Sequence, residues 1–116
     1  MRKTILVVDD SPDIQEVLKT FLESHGHTVH TTEAPNEAIR IVKTAMPEVV
    51  LLDYHLPGLT PDAFIKIVRA ESPGVCIILV SGVTDVSEKA KSLGLKFAIQ
   101  KPFDPTTLLD LIAKAT

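Results

Sequence analysis

Five polar residues stand out because each ends a short, mostly apolar run. Asp9 and Asp10 follow Thr4-Ile5-Leu6-Val7-Val8, and Asp53 follows Val49-Val50-Leu51-Leu52. Ser81 follows Val75-Cys76-Ile77-Ile78-Leu79-Val80, and Lys101 follows Phe97-Ala98-Ile99-Gln100. Three carboxylates held together repel, which raises some of their pKa values unless a cation is present. Carboxylates and water suit a hard ion, Mg²⁺ rather than zinc. A carboxylate is also a nucleophile that can take up a phosphoryl group. Such transfer needs positioning and charge neutralisation, which a metal, an ammonium and a hydroxyl supply. A single acid after a strand is ordinarily a turn or cap residue. Caps do not account for Lys101 or for a doubled acid, and Asp53 is the expected reactive residue.

These residues converge only if the runs before them are parallel strands. Short apolar runs bounded by turn signals read as strands buried on both faces. Thr28-Val29-His30-Thr31 is more polar and reads as a strand near the sheet edge. Helix signals fill the gaps. Ser11-Pro12, Ala34-Pro35, Thr60-Pro61 and Asp104-Pro105 open helices, and Thr84 or Asp85 opens another. In the first helix Ile14, Val17, Leu18, Phe21 and Leu22 form one apolar stripe, and Gly26 stops it. Pro47 ends the second helix. Strict strand–helix alternation predicts an α/β fold: one flavodoxin-like (βα)5 domain, a five-stranded parallel sheet with helices on both faces. The order 2-1-3-4-5 fits best, because the first, third and fourth strands are the most apolar and belong in the centre. The carboxyl ends of all strands then meet at one edge.

The 116 residues suffice for one domain with a proper core, and 45% hydrophobic content is that of a globular chain. A net charge of -3 argues against direct nucleic-acid binding. No apolar run is long enough to span a membrane, and Asp9 and Asp10 interrupt the first run too early for a signal peptide. Cys76 is the only cysteine, so a reducing, cytoplasmic setting is expected, with Cys76 as a buried small hydrophobe. Within these 116 residues nothing is left over for a second domain, which fits a free-standing protein and a piece of a larger one equally well.

Asp9-Asp10, Asp53, Ser81 and Lys101-Pro102-Phe103, each after successive apolar strands, resemble the receiver domain of two-component response regulators and hybrid histidine kinases. The resemblance covers residues 1–116 as one receiver domain. It implies that Asp53 is the phospho-acceptor and that Mg²⁺ is held by Asp10, Asp53 and the backbone carbonyl of His55, with Asp9 acting through water. It implies that Lys101 pairs with the acceptor carboxylate and then the phosphoryl oxygens, that Ser81 hydrogen-bonds the phosphoryl group, and that Gly82 leaves room for it. The Lys101-Pro102 peptide is expected to be cis. The donor would be a phosphohistidine on a sensor histidine kinase or a histidine phosphotransfer domain, and receiver homodimers are compatible with the type. Such a domain catalyses only its own phosphorylation and dephosphorylation and is not an enzyme acting on external substrates.

The sequence departs from the receiver pattern at one point. Many receivers carry an aromatic three positions before the lysine, and here that residue is Ala98, with Phe97 beside it. A one-residue shift along a strand points the side chain to the opposite face, so Phe97 reads as core rather than substitute. His25, His27 and His30 lack companion ligands in suitable spacing and read as surface histidines. Lys89, Lys91 and Lys96 read as a solvated helix face. Competing functions fit less well. An aspartyl phosphatase wants an Asp-x-Asp pair, and a flavodoxin-type module wants a Gly/Ser/Thr phosphate loop where Asp9-Asp10-Ser11-Pro12 stands. A degenerate receiver acting only as an interaction module would not need the intact acidic and lysine set.

Overall fold

In a computed structural model of the chain, residues 2–115 are described. Strands and helices alternate throughout: β1 Thr4–Val8, α1 Pro12–Ser24, β2 Thr28–Thr32, α2 Pro35–Ala45, β3 Val49–Asp53, α3 Pro61–Glu71, β4 Cys76–Ser81, α4 Val86–Ser92, β5 Phe97–Gln100 and α5 Pro105–Ala115. The strands form one parallel sheet in the order β2-β1-β3-β4-β5, as expected. The polar β2 lies at an edge, while β3 is buried along its whole length in the centre.

Period-two alternation of the strands divides the core in two. Leu6, Val8, Val50, Leu52, Ile77 and Leu79 face α2, α3 and α4, where they meet Ala38, Val42, Phe64, Val68, Val86 and Ala90. Ile5, Val7, Val49, Leu51, Ile78 and Val80 face α1 and α5, where they meet Leu18, Leu22, Leu108 and Ile112. Every strand residue between these sets is apolar because both faces are covered, which is why the runs read as continuous rather than alternating.

The helix ends follow local chemistry. The Ser11 hydroxyl accepts from the Ile14 N–H, and the Thr60 hydroxyl accepts from the Ala63 N–H. Pro47 cannot continue α2, and Met46 before it turns out of the helix with φ 49°. Gly26 and Gly94 stop α1 and α4 at positive φ, 91° and 74°, which favours glycine.

Three expectations require correction. Val17 is 59% exposed and not part of a buried stripe. It lies at the margin of the α1 stripe and lines an open apolar groove with Ile14, Leu18, Pro102 and Phe103. Cys76 is half-buried, because it begins β4 where cover from the helices is incomplete. His27 and His30 are half-buried rather than surface residues; His30 lies within β2, and His27 Nδ1 accepts a 3.1 Å hydrogen bond from the Lys3 N–H at the start of the sheet.

Two predictions follow from this packing. Phe64 is 1% exposed, so Phe64→Ala is expected to cost about 3–5 kcal/mol, against about 1 kcal/mol for Thr60→Ala. Urea unfolding measures both, and equal losses would contradict the packing. His27 is held neutral by burial, with the charges of His25 and Lys3 adding, so its folded pKa lies below 6.5. The unfolded chain therefore takes up this proton first. His27 costs nothing above the unfolded value, and stability falls as pH drops below about 6.5 until the folded value is passed. Unfolding free energy between neutral and mildly acidic pH is expected to fall less steeply in His27→Gln, and an unchanged slope would contradict the assignment.

Candidate functional site

Parallel pairing brings the strand ends to one edge. Val8 lies beside Leu52, Asp53 beside Val80, and Ser81 beside Gln100. The residues that follow β1 and β5 therefore flank the ends of β3 and β4. Oxygens of Asp9, Asp10 and Asp53 lie within 4.8 Å of one another. Asp9 and Asp53 are buried, and Asp10 is exposed. Lys101 reaches in from the loop after β5, with Nζ 2.8 Å from Asp9 Oδ2 and 3.6 Å from Asp53 Oδ2. The Lys101-Pro102 peptide is cis, as the sequence led us to expect.

The nearer partner of Lys101 is thus Asp9, not Asp53. Asp9 is occupied on every side. Its Oδ1 accepts from the Ser11 N–H at 2.9 Å, and its carbonyl accepts from Gln15 Nε2 at 2.6 Å. Asp9 therefore anchors the entry to α1 as well as Lys101. Nothing in the sequence pattern distinguished it from Asp10 in this respect, although a doubled acid before a Ser-Pro cap was the available signal. Gln15, one turn into α1, was missed altogether.

Asp53 is 6% exposed at the end of β3. Burial pushes its carboxyl above the ordinary range, and the charges of Asp9 and Asp10 push the same way. The His55 N–H, 3.2 Å from Asp53 Oδ1, and the Lys101 ammonium oppose this rise. His55 itself lies in the loop after β3, with its side chain exposed. Ser81 is fully buried at the end of β4, where its hydroxyl accepts from the Val83 N–H at 3.2 Å. Its carbonyl accepts from the Lys101 N–H at 2.7 Å, which fixes the root of the lysine beside the fourth strand. A Cβ at Gly82 would meet nothing within 4 Å, so there is open space beside this residue.

The arrangement can hold a hard cation among carboxylates and can present one half-neutralised, buried carboxylate to an incoming electrophile. His25, His27 and His30 do not join a metal-ligating cluster among the described residues. Phe97 packs toward α1 and α5, and Ala98 toward α4, so the two lie on opposite faces of the sheet. No helix among the described residues is long and apolar enough to cross a membrane.

Comparison with known proteins gives a consistent result. The family model described as the response regulator receiver domain matches residues 5–113. The DNA-binding response regulator MtrA of Mycobacterium tuberculosis is 34% identical over 111 residues, 94% of this chain and 48% of MtrA. The chain thus spans about half the length of the MtrA relatives it matches. Protein PilH of Pseudomonas aeruginosa is 34% identical over 112 residues, 93% of both chains. The structure of the chemotaxis protein CheY4 of Vibrio cholerae superposes with a TM-score of 0.88 at 26% identity, covering 100% of both chains. NtrX of Brucella abortus superposes with a TM-score of 0.90 at 28% identity over 99% of this chain and 27% of that one. With the family match running from β1 into α5, this chain belongs to the response regulator receiver domain family.

Proposed function

We propose that the chain, residues 1–116, is one phospho-accepting receiver domain, and that Asp53 takes a phosphoryl group from a phosphohistidine of a sensor histidine kinase or histidine phosphotransfer domain. The observation that carries this reading is a buried carboxylate at the end of the central strand, with two further carboxylates within 4.8 Å and a lysine 3.6 Å away. An Asp53 oxygen forms the bond to phosphorus as the bond from phosphorus to the imidazole nitrogen breaks. The nitrogen keeps the electron pair. Lys101, already between Asp9 and Asp53, neutralises charge gathering on the phosphoryl oxygens. The Ser81 hydroxyl, at the neighbouring strand end, turns from the Val83 N–H toward a phosphoryl oxygen.

The donor set fits Mg²⁺, since it is all oxygen and excess negative charge. Asp10, Asp53 and the His55 carbonyl would hold the ion directly. Asp9, with one oxygen on Lys101 and the other on the Ser11 N–H, would act through water. When bound, Mg²⁺ supplies charge neutralisation for the transferring group. The open groove formed by Ile14, Val17, Leu18, Pro102 and Phe103 borders Lys101 and offers the phosphodonor protein an apolar seat beside the site. The added charge at the sheet edge then switches a protein-interaction surface. The domain works in the cytoplasm and turns over no external substrate. It catalyses its own phosphorylation and the hydrolytic return to Asp53.

Incubation with acetyl phosphate and Mg²⁺ is expected to give a single acid-stable, base-labile phosphoryl adduct, read by intact mass. The adduct should be absent from Asp53→Asn, and no adduct on the natural sequence, or an undiminished one on the variant, overturns the proposal. A further expectation needs no donor. Because the folded-state pKa of Asp53 is raised, its stabilising contribution is complete below the unfolded value and is lost as pH rises through the folded value. At neutral pH the ionised Asp53 therefore destabilises the fold, and Asp53→Asn should unfold at higher urea concentration than the natural sequence. Mg²⁺ should stabilise the natural sequence by mass action and do so much less in Asp10→Asn. A variant no more stable than its parent, or an equal Mg²⁺ response, would contradict the charge assignment.

A further inference from the structure

Tyr54 follows Asp53 directly and packs on the other face of the sheet, against the cluster that contains Val86 and Ala90 of α4. The Lys89 ammonium of α4 lies over its ring, 5.6 Å from the centroid. Lys89 is half-buried, unlike Lys91 and Lys96, which are exposed. The opposite side of the connection is equally specific. The His55 ring meets the Tyr54 ring edge-on at 4.9 Å and 84°, and the His55 N–H donates to Asp53 Oδ1. The Tyr54 N–H donates to the carbonyl of Val80, one residue before Ser81. On this face β5 presents no ring, since Ala98 has only a methyl group and Phe97 packs on the other side.

The helix at the far end is lightly held. At seven residues α4 is the shortest of the five, and its Asp85 cap makes no side-chain hydrogen bond. A short helix without a side-chain cap has few hydrogen bonds to lose when it opens.

We propose that the Tyr54–Lys89 contact is the relay by which the state of Asp53 reaches α4. This rests on Asp53 being the phospho-acceptor. A contact transmits a state only if it differs between the two states. Without phosphate, the Tyr54 ring holds the Lys89 ammonium by its quadrupole. Asp53 is already a carboxylate, so a phosphoryl group adds about one further negative charge beside Tyr54 at neutral pH. The added charge strengthens the pull on the Lys89 ammonium, and attraction between charges falls off with distance more slowly than attraction to a quadrupole. It draws Lys89 from the ring and frees α4. Tyr54 is here a positioning residue, and neither it nor Lys89 takes part in the transfer.

The test is hydrogen exchange of the α4 peptide, Val86–Ser92, with and without acetyl phosphate and Mg²⁺, with adduct measured by intact mass in the same samples. In the natural sequence phosphorylation is expected to speed α4 exchange several-fold. In Tyr54→Leu and in Lys89→Gln, adduct forms but α4 exchanges fast already and no longer responds. Tyr54→Phe and Lys89→Arg, which keep ring and cation, retain the response. A full α4 response in Tyr54→Leu and Lys89→Gln, or none in the phosphorylated natural sequence, overturns the relay. Failure of the natural sequence to form adduct overturns the acceptor reading and the relay with it.

Discussion

The ion pair between Lys101 and Asp9 joins residues 92 positions apart, from strands that do not touch. β3 and β4 lie between β1 and β5, so the pair exists only because the whole sheet runs parallel in this order. Its consequence is electrostatic. Three carboxylates within 4.8 Å form a repulsive group, and two of them are buried, where repulsion is screened less. Taking one of them into a 2.8 Å contact with an ammonium removes one charge from that competition. Because the other oxygen of Asp9 is held by the Ser11 N–H, Asp9 cannot turn away. Asp10 and Asp53 are the two carboxylates that the lysine does not take up at hydrogen-bond distance. One side chain thereby fixes the start of α1 and the position of the lysine.

Most of the frame was legible because both sheet faces are covered. A strand buried on both sides must be apolar along its length, so β1, β3 and β4 stood out as continuous runs, and the polar β2 declared itself an edge. Proline at the first helical position marked α1, α2, α3 and α5 by the same local rule. The gathering of Asp9, Asp10, Asp53, Ser81 and Lys101 followed from topology alone. What could not be read were contacts between distant segments made by side chains with no periodic reason to be there. Val17 matched a helical stripe yet lies beyond the cover of the sheet. His27 looked like a surface histidine, but the backbone of Lys3 gives it a partner. Lys89 matched a solvated face, and only the approach of the loop after β3 put a ring beneath it.

The sheet also constrains how an event at its edge is felt elsewhere. Side-chain alternation places Val49 and Leu51 toward α1 and α5, and Val50 and Leu52 toward α2, α3 and α4. Asp53 continues the first set, and its lysine contact comes from the loop that leads into α5. A change of charge there acts first on one face, whereas α4 lies on the other. Crossing the sheet requires a residue anchored on both sides. An aromatic at position 98 would have the right face but would stand two strands away from Asp53. Tyr54 has the same face and is separated from Asp53 by one peptide unit. The ring nearest Asp53 on the α4 side is therefore that of Tyr54, while position 98 on the same face carries only a methyl group.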